Sequence, residues 1–284
     1  MLWDMMIKFL KSWFSYPGIE WYLILLGIGL AIAFGVIWLL GFMPPIIKKP
    51  WLWLVAVVAA FLTMLAITFV QIPLQYWTGL GLQHFWDQNT LMNWFLLTGL
   101  PSVLISGLVQ EAAKMVPIYF WWWRSDKKLD PKMGLMIGAI AGAGFGIFEA
   151  FWVNSQVFMA GWTWGAVSQN AWQGLLPFWE RFWTIAGHIG MSALVGYGIA
   201  KGKAWQFYLL AAVFHSALNY FVLPLTKGML TVNQVEIIIA IGAVLVMLAA
   251  LWLRWRKDKE GPNLGQTDPA LQIDSVGPDK PGLE

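Results

Sequence analysis

Gln110-Glu111-Ala112-Ala113-Lys114-Met115-Val116-Pro117 sets a carboxylate, an ammonium and a helix-breaking imino acid inside an otherwise apolar run from Val103 to Trp123. The length of that run matches the roughly 20 apolar residues a helix needs to cross a bilayer. Charge at such a depth costs roughly 2.5–3.5 kcal/mol per residue on insertion scales, so it is rare and tied to function. The rest of the chain takes its meaning from which residues can face Glu111.

Of the 284 residues, 59% are hydrophobic and 12% charged, where a soluble domain carries about 25% charged. The 21 Trp residues suit membrane–water interfaces, where indoles accumulate. Cysteine is absent, which excludes disulfides, thiolate metal sites and a cysteine nucleophile. The fold class expected is all-α, a polytopic helical membrane protein with about seven spans near residues 21–43, 51–72, 102–123, 133–153, 182–200, 204–224 and 236–255. Residues 73–100 and 154–180 read as long connections rich in Trp, Gln and Asn, with room for short interfacial helices.

At the N-terminus, Leu2, Met6, Phe9 and Trp13 recur at helical spacing opposite Asp4, Lys8, Lys11 and Ser15. That pattern predicts an amphipathic helix lying in the interface. No small-residue cleavage site follows a basic segment, so no cleaved signal peptide is expected. Residues 1–256 form the expected transmembrane domain. Residues 257–284, with Gly-Pro, Asp-Pro and Pro-Gly steps, have the composition of a disordered cytoplasmic tail.

Basic residues set the orientation. Lys48 and Lys49 follow the first span, Arg124, Lys127, Lys128 and Lys132 the third, Lys201 and Lys203 the fifth, and Arg254, Arg256, Lys257 and Lys259 the seventh. The alternate connections hold few: none over 73–100, Arg181 near the end of the fourth, and Lys227 in the sixth. The positive-inside rule then places the N-terminus outside and the tail in the cytoplasm, in an integral cell-membrane protein.

Ionisable residues at membrane depth fall on four consecutive spans: Glu111 and Lys114, Glu149, His188, and His215. With this topology, a rise of about 1.5 Å per residue puts them roughly 13, 6, 9 and 13 Å below the outer helix ends, in the order Glu111, Glu149, His188, His215. Four groups at similar depth can form one site, in a four-helix core with three helices around it. Gly138, Gly142 and Gly146 repeat every four residues, a small-xxx-small stripe for close helix approach. Glu149 lies on that same face, His215 shares a face with Asn219, and His188 with Ser192. Taken singly, Glu111 with Lys114 is also what a structural ion pair would look like, and each histidine a satisfied core residue.

Together these residues resemble the PrsW-type intramembrane proteases, themselves similar to the CAAX-processing and bacteriocin-related membrane proteases. The family pattern is Glu-Glu-x-x-Lys, then a Gly-rich segment ending in Glu, then two helices each with a His. Here it stands as Gln110-Glu111-Ala112-Ala113-Lys114, Gly144-Phe145-Gly146-Ile147-Phe148-Glu149, His188 and His215-x-x-x-Asn219, across residues 100–225. The departure is Gln110 where the family has its first acid.

The resemblance implies hydrolysis of a peptide bond in a membrane-embedded or membrane-anchored protein, with lipid and that protein as partners and no nucleic acid. Glu111 would activate the water beside Lys114, and Asn219 would donate to the oxyanion. Glu149, His188 and His215 would hold a divalent metal, zinc in the leading version; without metal, Glu111 and a His would act as an acid–base pair. Gln110 would orient substrate or water. Two other readings compete: an inactive relative that captures membrane clients, suggested by Gln110, and a proton-coupled transporter, against which stands the lack of an inverted repeat.

Overall fold

The computed structural model describes residues 1–257, so the tail expected to be disordered lies, apart from Lys257, outside the described residues. Within them the chain is helical: α1 Leu2–Ser12, α2 Trp21–Leu40, α3 Trp51–Ala66, a π-helical turn Ile67–Gln71, α4 Ile72–Phe85, α5 Gln88–Asn93, α6 Phe95–Thr98, α7 Leu100–Arg124, α8 Pro131–Met159, α9 Trp164–Gln169, α10 Ala171–Ala200, α11 Ala204–Tyr220, α12 Val222–Thr226 and α13 Val232–Trp255. Among the described residues there is no strand. Several starts are written in the sequence. Asp130 accepts from Met133 N–H at 2.8 Å with Pro131 in the first turn of α8, and Asn170 accepts from Gln173 N–H at 3.1 Å to open α10. Both are N-caps that satisfy an otherwise orphaned donor.

Six runs have the length and apolarity to cross a bilayer: Trp21–Leu40, Trp51–Phe85, Phe95–Arg124, Pro131–Met159, Ala204–Thr226 and Val232–Trp255. The remaining long helix, α10, is diluted by glycine, His188 and Trp, yet it runs antiparallel along α8. Ideal Cβ atoms on Gly138 and Gly142 would lie 2.0 and 2.2 Å from the carbonyl oxygens of Ser192 and His188, and one on Gly196 would lie 2.1 Å from that of Gly134. α10 packs along α8 over that length, and the six apolar runs with α10 beside them agree with the expected count of about seven. Almost every residue of α10 from Ile185 to Ile199 is buried, so this helix has no lipid face to keep apolar.

Three expectations about the periphery change. The second span does not stop near residue 72 but continues through the π-helical turn to Phe85. Pro73 is the physical reason for the irregular turn: it has no N–H for the Phe69 carbonyl and its ring crowds that position, and a π-bulge absorbs the mismatch. The fourth connection is also shorter than expected, because α8 extends to Met159 and α10 begins at Ala171. Finally, α1 is not simply laid on lipid. Trp13 is buried and stacks on Phe148 and Trp152 of α8 at 4.8 and 4.9 Å, and Trp152 Nε1 donates to Ser12 Oγ at 3.0 Å.

Candidate active site

The inward stripe of α7 is Ser106, Gly107, Gln110, Glu111, Ala113, Lys114, Pro117 and Ile118, the three-and-four spacing of one helix face. Its outward face, including Leu104, Leu108, Val116, Phe120 and Trp123, is exposed. Gly107 lets α11 close on this stripe: a Cβ there would sit 2.1 Å from Ser216 Oγ and 2.4 Å from the Ala212 carbonyl oxygen. The glycine face of α8 does the same for α10. These two crossings bring the polar groups of four helices together.

Glu111 is 1% exposed. Its Oε1 accepts from Lys114 Nζ at 2.5 Å and lies 2.7 Å from His215 Nδ1. Lys114 Nζ also lies 3.0 Å from His188 Nδ1, and His188 Nε2 lies 3.0 Å from Glu149 Oε2. The two imidazoles meet edge to face with ring centres 5.3 Å apart. Phe145 abuts His188 at 5.1 Å and carries Lys114 Nζ 5.7 Å from its ring centre. Glu111 Oε2 is buried and has no hydrogen-bond partner.

One ligand atom from each of Glu111, His188 and His215 lies within 4.8 Å of the other two. The expected trio of Glu149, His188 and His215 is arranged differently. Glu149 meets the ring nitrogen of His188 opposite to the one beside Lys114, and Arg181 Nη1 stands 3.6 Å from the same Glu149 oxygen. An imidazole cannot turn both nitrogens to one point, so Glu149 reaches His188 from behind the Glu111 cluster.

The expected polar flank is present as well. Gln110 Nε2 donates to Ser106 Oγ and to Gln71 Oε1, both at 3.1 Å, and Asn219 Nδ2 lies 3.4 Å from Ser106 Oγ. Gln110, Glu149, Arg181, His188, His215 and Asn219 share a cavity of about 120 Å³. Two members escaped the sequence reading. Gln71 belongs to the π-helical turn of the second run, so the site draws on a fifth helix rather than four. Its signal was a lone amide next to Ile72-Pro73. Arg181 is 7% exposed and ion-paired with Glu180. Its signal was its place seven residues before His188, two turns back on the same face.

A family model described as PrsW family intramembrane metalloprotease matches residues 49–252. No curated protein and no solved structure matches the chain.

Proposed function

This chain belongs to the PrsW family of intramembrane metalloproteases, and we propose that it hydrolyses a peptide bond of a membrane-embedded or membrane-anchored protein with a water activated at Glu111. The observation that carries this reading is the closure of Glu111, His188 and His215 to within 4.8 Å, with both histidines lining a cavity that also holds Gln110, Glu149, Arg181 and Asn219. Burying two charges seldom stabilises a fold on balance. A buried carboxylate with one oxygen committed and the other free is what a water activator requires.

The steps assign themselves to atoms. Glu111 Oε1 is held by Lys114 and His215, which leaves Oε2 to take the proton as the water oxygen attacks the scissile carbonyl carbon. Asn219 Nδ2, engaged among the described residues by a long contact to Ser106, donates to the developing oxyanion. Gln110 spends both N–H bonds on Ser106 and Gln71, so its buried and unpartnered Oε1 accepts from substrate backbone or water. Gln110 acts there as an orienting group, and the first acid of the family motif is not needed. Glu111 then returns the proton to the departing amine as the C–N bond breaks.

The donor set fits a metal: two imidazoles and a carboxylate, with Glu111 Oε2 lacking a partner. Glu111, His188 and His215 would hold it and Glu149 would orient His188; with the ion bound Glu111 would serve as a ligand, and the proton-accepting role of Oε2 belongs to the metal-free site. A bound zinc would polarise the scissile carbonyl and acidify a water. One observation favours a second, metal-independent reading: Lys114 Nζ already lies against Glu111 Oε1 and His188 Nδ1, so an ammonium and a divalent ion contend for the same lone pairs. In that reading Glu111 and His215 are the acid–base pair.

The basic residues clustered in alternate connections support an N-terminus outside and a last helix end in the cytoplasm. Glu111→Gln in reconstituted full-length protein should cut cleavage of a model single-span substrate by about 10²–10⁴-fold with the folded yield unchanged. Wild-type cleavage by that variant would end the proposal. Metal analysis separates the two versions: a stoichiometric divalent ion, lost in His188→Ala and His215→Ala, supports the metal, and full activity in strong chelator eliminates it.

A further inference from the structure

We propose that Arg181 is a positioning residue, acting through Glu149 to fix the ring orientation and tautomer of His188; this rests on the hydrolytic reading of the site. A buried guanidinium in a membrane-crossing helix is costly, and an ion pair with its neighbour Glu180 would satisfy it locally. Arg181 does more than that. Its Nη1 reaches across to α8, 3.6 Å from Glu149 Oε2, the same oxygen that faces His188 Nε2 at 3.0 Å. A purely structural pair has no need of a second carboxylate on another helix, at the one atom His188 uses.

The tautomer is held from both ends of the ring, by Lys114 as a donor at Nδ1 and by the Glu149 carboxylate, which only accepts, at Nε2. An ammonium has no lone pair, so Lys114 Nζ donates to His188 Nδ1, 3.0 Å away. Nδ1 is therefore the acceptor, the ring proton sits on Nε2, and Nε2–H donates to Glu149. His188 thus turns its lone pair to Lys114, the side chain that also holds Glu111. A carboxylate behind an imidazole is the usual way to set ring orientation and basicity at a hydrolytic centre. Glu149 keeps that place because Arg181, itself tied to Glu180, holds the oxygen from the opposite side. Removing the guanidinium leaves Glu149 with His188 as its one partner among the described residues, free to turn into the cavity it lines.

The test uses the full chain in lipid nanodiscs with ¹⁵N-labelled histidine. The chain has three histidines, so His84→Gln and His215→Ala assign the ring-nitrogen signals of His188. Arg181→Met should lower kcat by about 10–100-fold, the usual effect of losing such an outer partner, with KM little changed. The His188 signals should shift from the Nε2–H pattern to a mixture of tautomers. A folded Arg181→Met protein with wild-type kcat and an unchanged His188 pattern overturns the proposal. If that variant does not fold, Arg181→Lys carries the test, because a single ammonium cannot bridge Glu180 and Glu149 as a guanidinium fork does. It should show a severalfold loss and a mixed His188 pattern, and wild-type values for both overturn the inference. Glu111→Gln in the same assay keeps the two ideas apart: its continued activity would sink the hydrolytic reading, while the His188 signals still judge Arg181.

Discussion

Helices α7 and α8 both pass through the middle of the protein with a carboxylate inside, and they are buried for opposite reasons. α8 is enclosed on several sides. Its glycines let α10 approach one face, and Gly144 admits α3 on another, where a Cβ would stand 2.1 Å from the Ala56 carbonyl oxygen. α7 leaves one apolar face exposed and turns inward one stripe that carries its polar groups. In α8 backbone contact comes first and Glu149 rides on it. In α7 a single glycine, Gly107, admits α11, and the rest of the inward contact is polar, with Gln110 on Gln71, Lys114 on His188 and Glu111 on His215. The difference separates a scaffold, where shape is critical, from a reactive face, where atom type is critical.

That separation can be broken by substitution. The largest effect is expected on the scaffold: Gly138→Leu would drive a side chain into the Ser192 carbonyl oxygen, 2.0 Å from where its Cβ must sit. Overpacking against backbone has no side chain to yield, so the detergent-solubilised protein should be lost or aggregated in size-exclusion chromatography. A folded, active Gly138→Leu protein would mean the α8–α10 contact is looser than described. Glu111→Gln is the mirror case, with the fold kept and the chemistry lost. Asn219→Ala, also on the reactive side, should leave thermal stability within about 0.5 kcal/mol and lower kcat by about 10²-fold, the loss seen for one oxyanion donor. An unchanged kcat would remove Asn219 from that role. The smallest effect is expected at Gly29, exposed on α2, where a Cβ meets nothing within 4 Å. Gly29→Ala should keep full cleavage activity and a melting temperature no lower than wild type, since alanine favours a helix interior. A clear loss of stability there would show that the lipid face of α2 is covered.

Much of this was legible without coordinates. Six spans follow from apolar run length, and the α8 packing face from glycine spacing. The four polar helices follow from Glu111, Glu149, His188 and His215 standing on consecutive helical segments. Gln71 was hidden because a lone amide at the end of an apolar run looks like an interface residue, and only the π-helical turn rotates it onto Gln110. Arg181 is hidden because the polar stretch before it has the composition of a connection, while α10 begins ten residues earlier, at Ala171. Trp13 was read as a lipid-facing residue because amphipathic spacing says that a face is apolar without saying what covers it.

The sequence by itself determined which residues had to leave water and which could not tolerate lipid alone. Run length and charge placement answer to the bilayer, a solvent whose rules do not depend on the fold. Only the tertiary structure decided which polar atoms meet: Glu111 rather than Glu149 beside both histidines, Arg181 behind Glu149, Gln71 beneath Gln110. Those pairings depend on helix rotation and crossing, and helical periodicity leaves both open until two backbones touch.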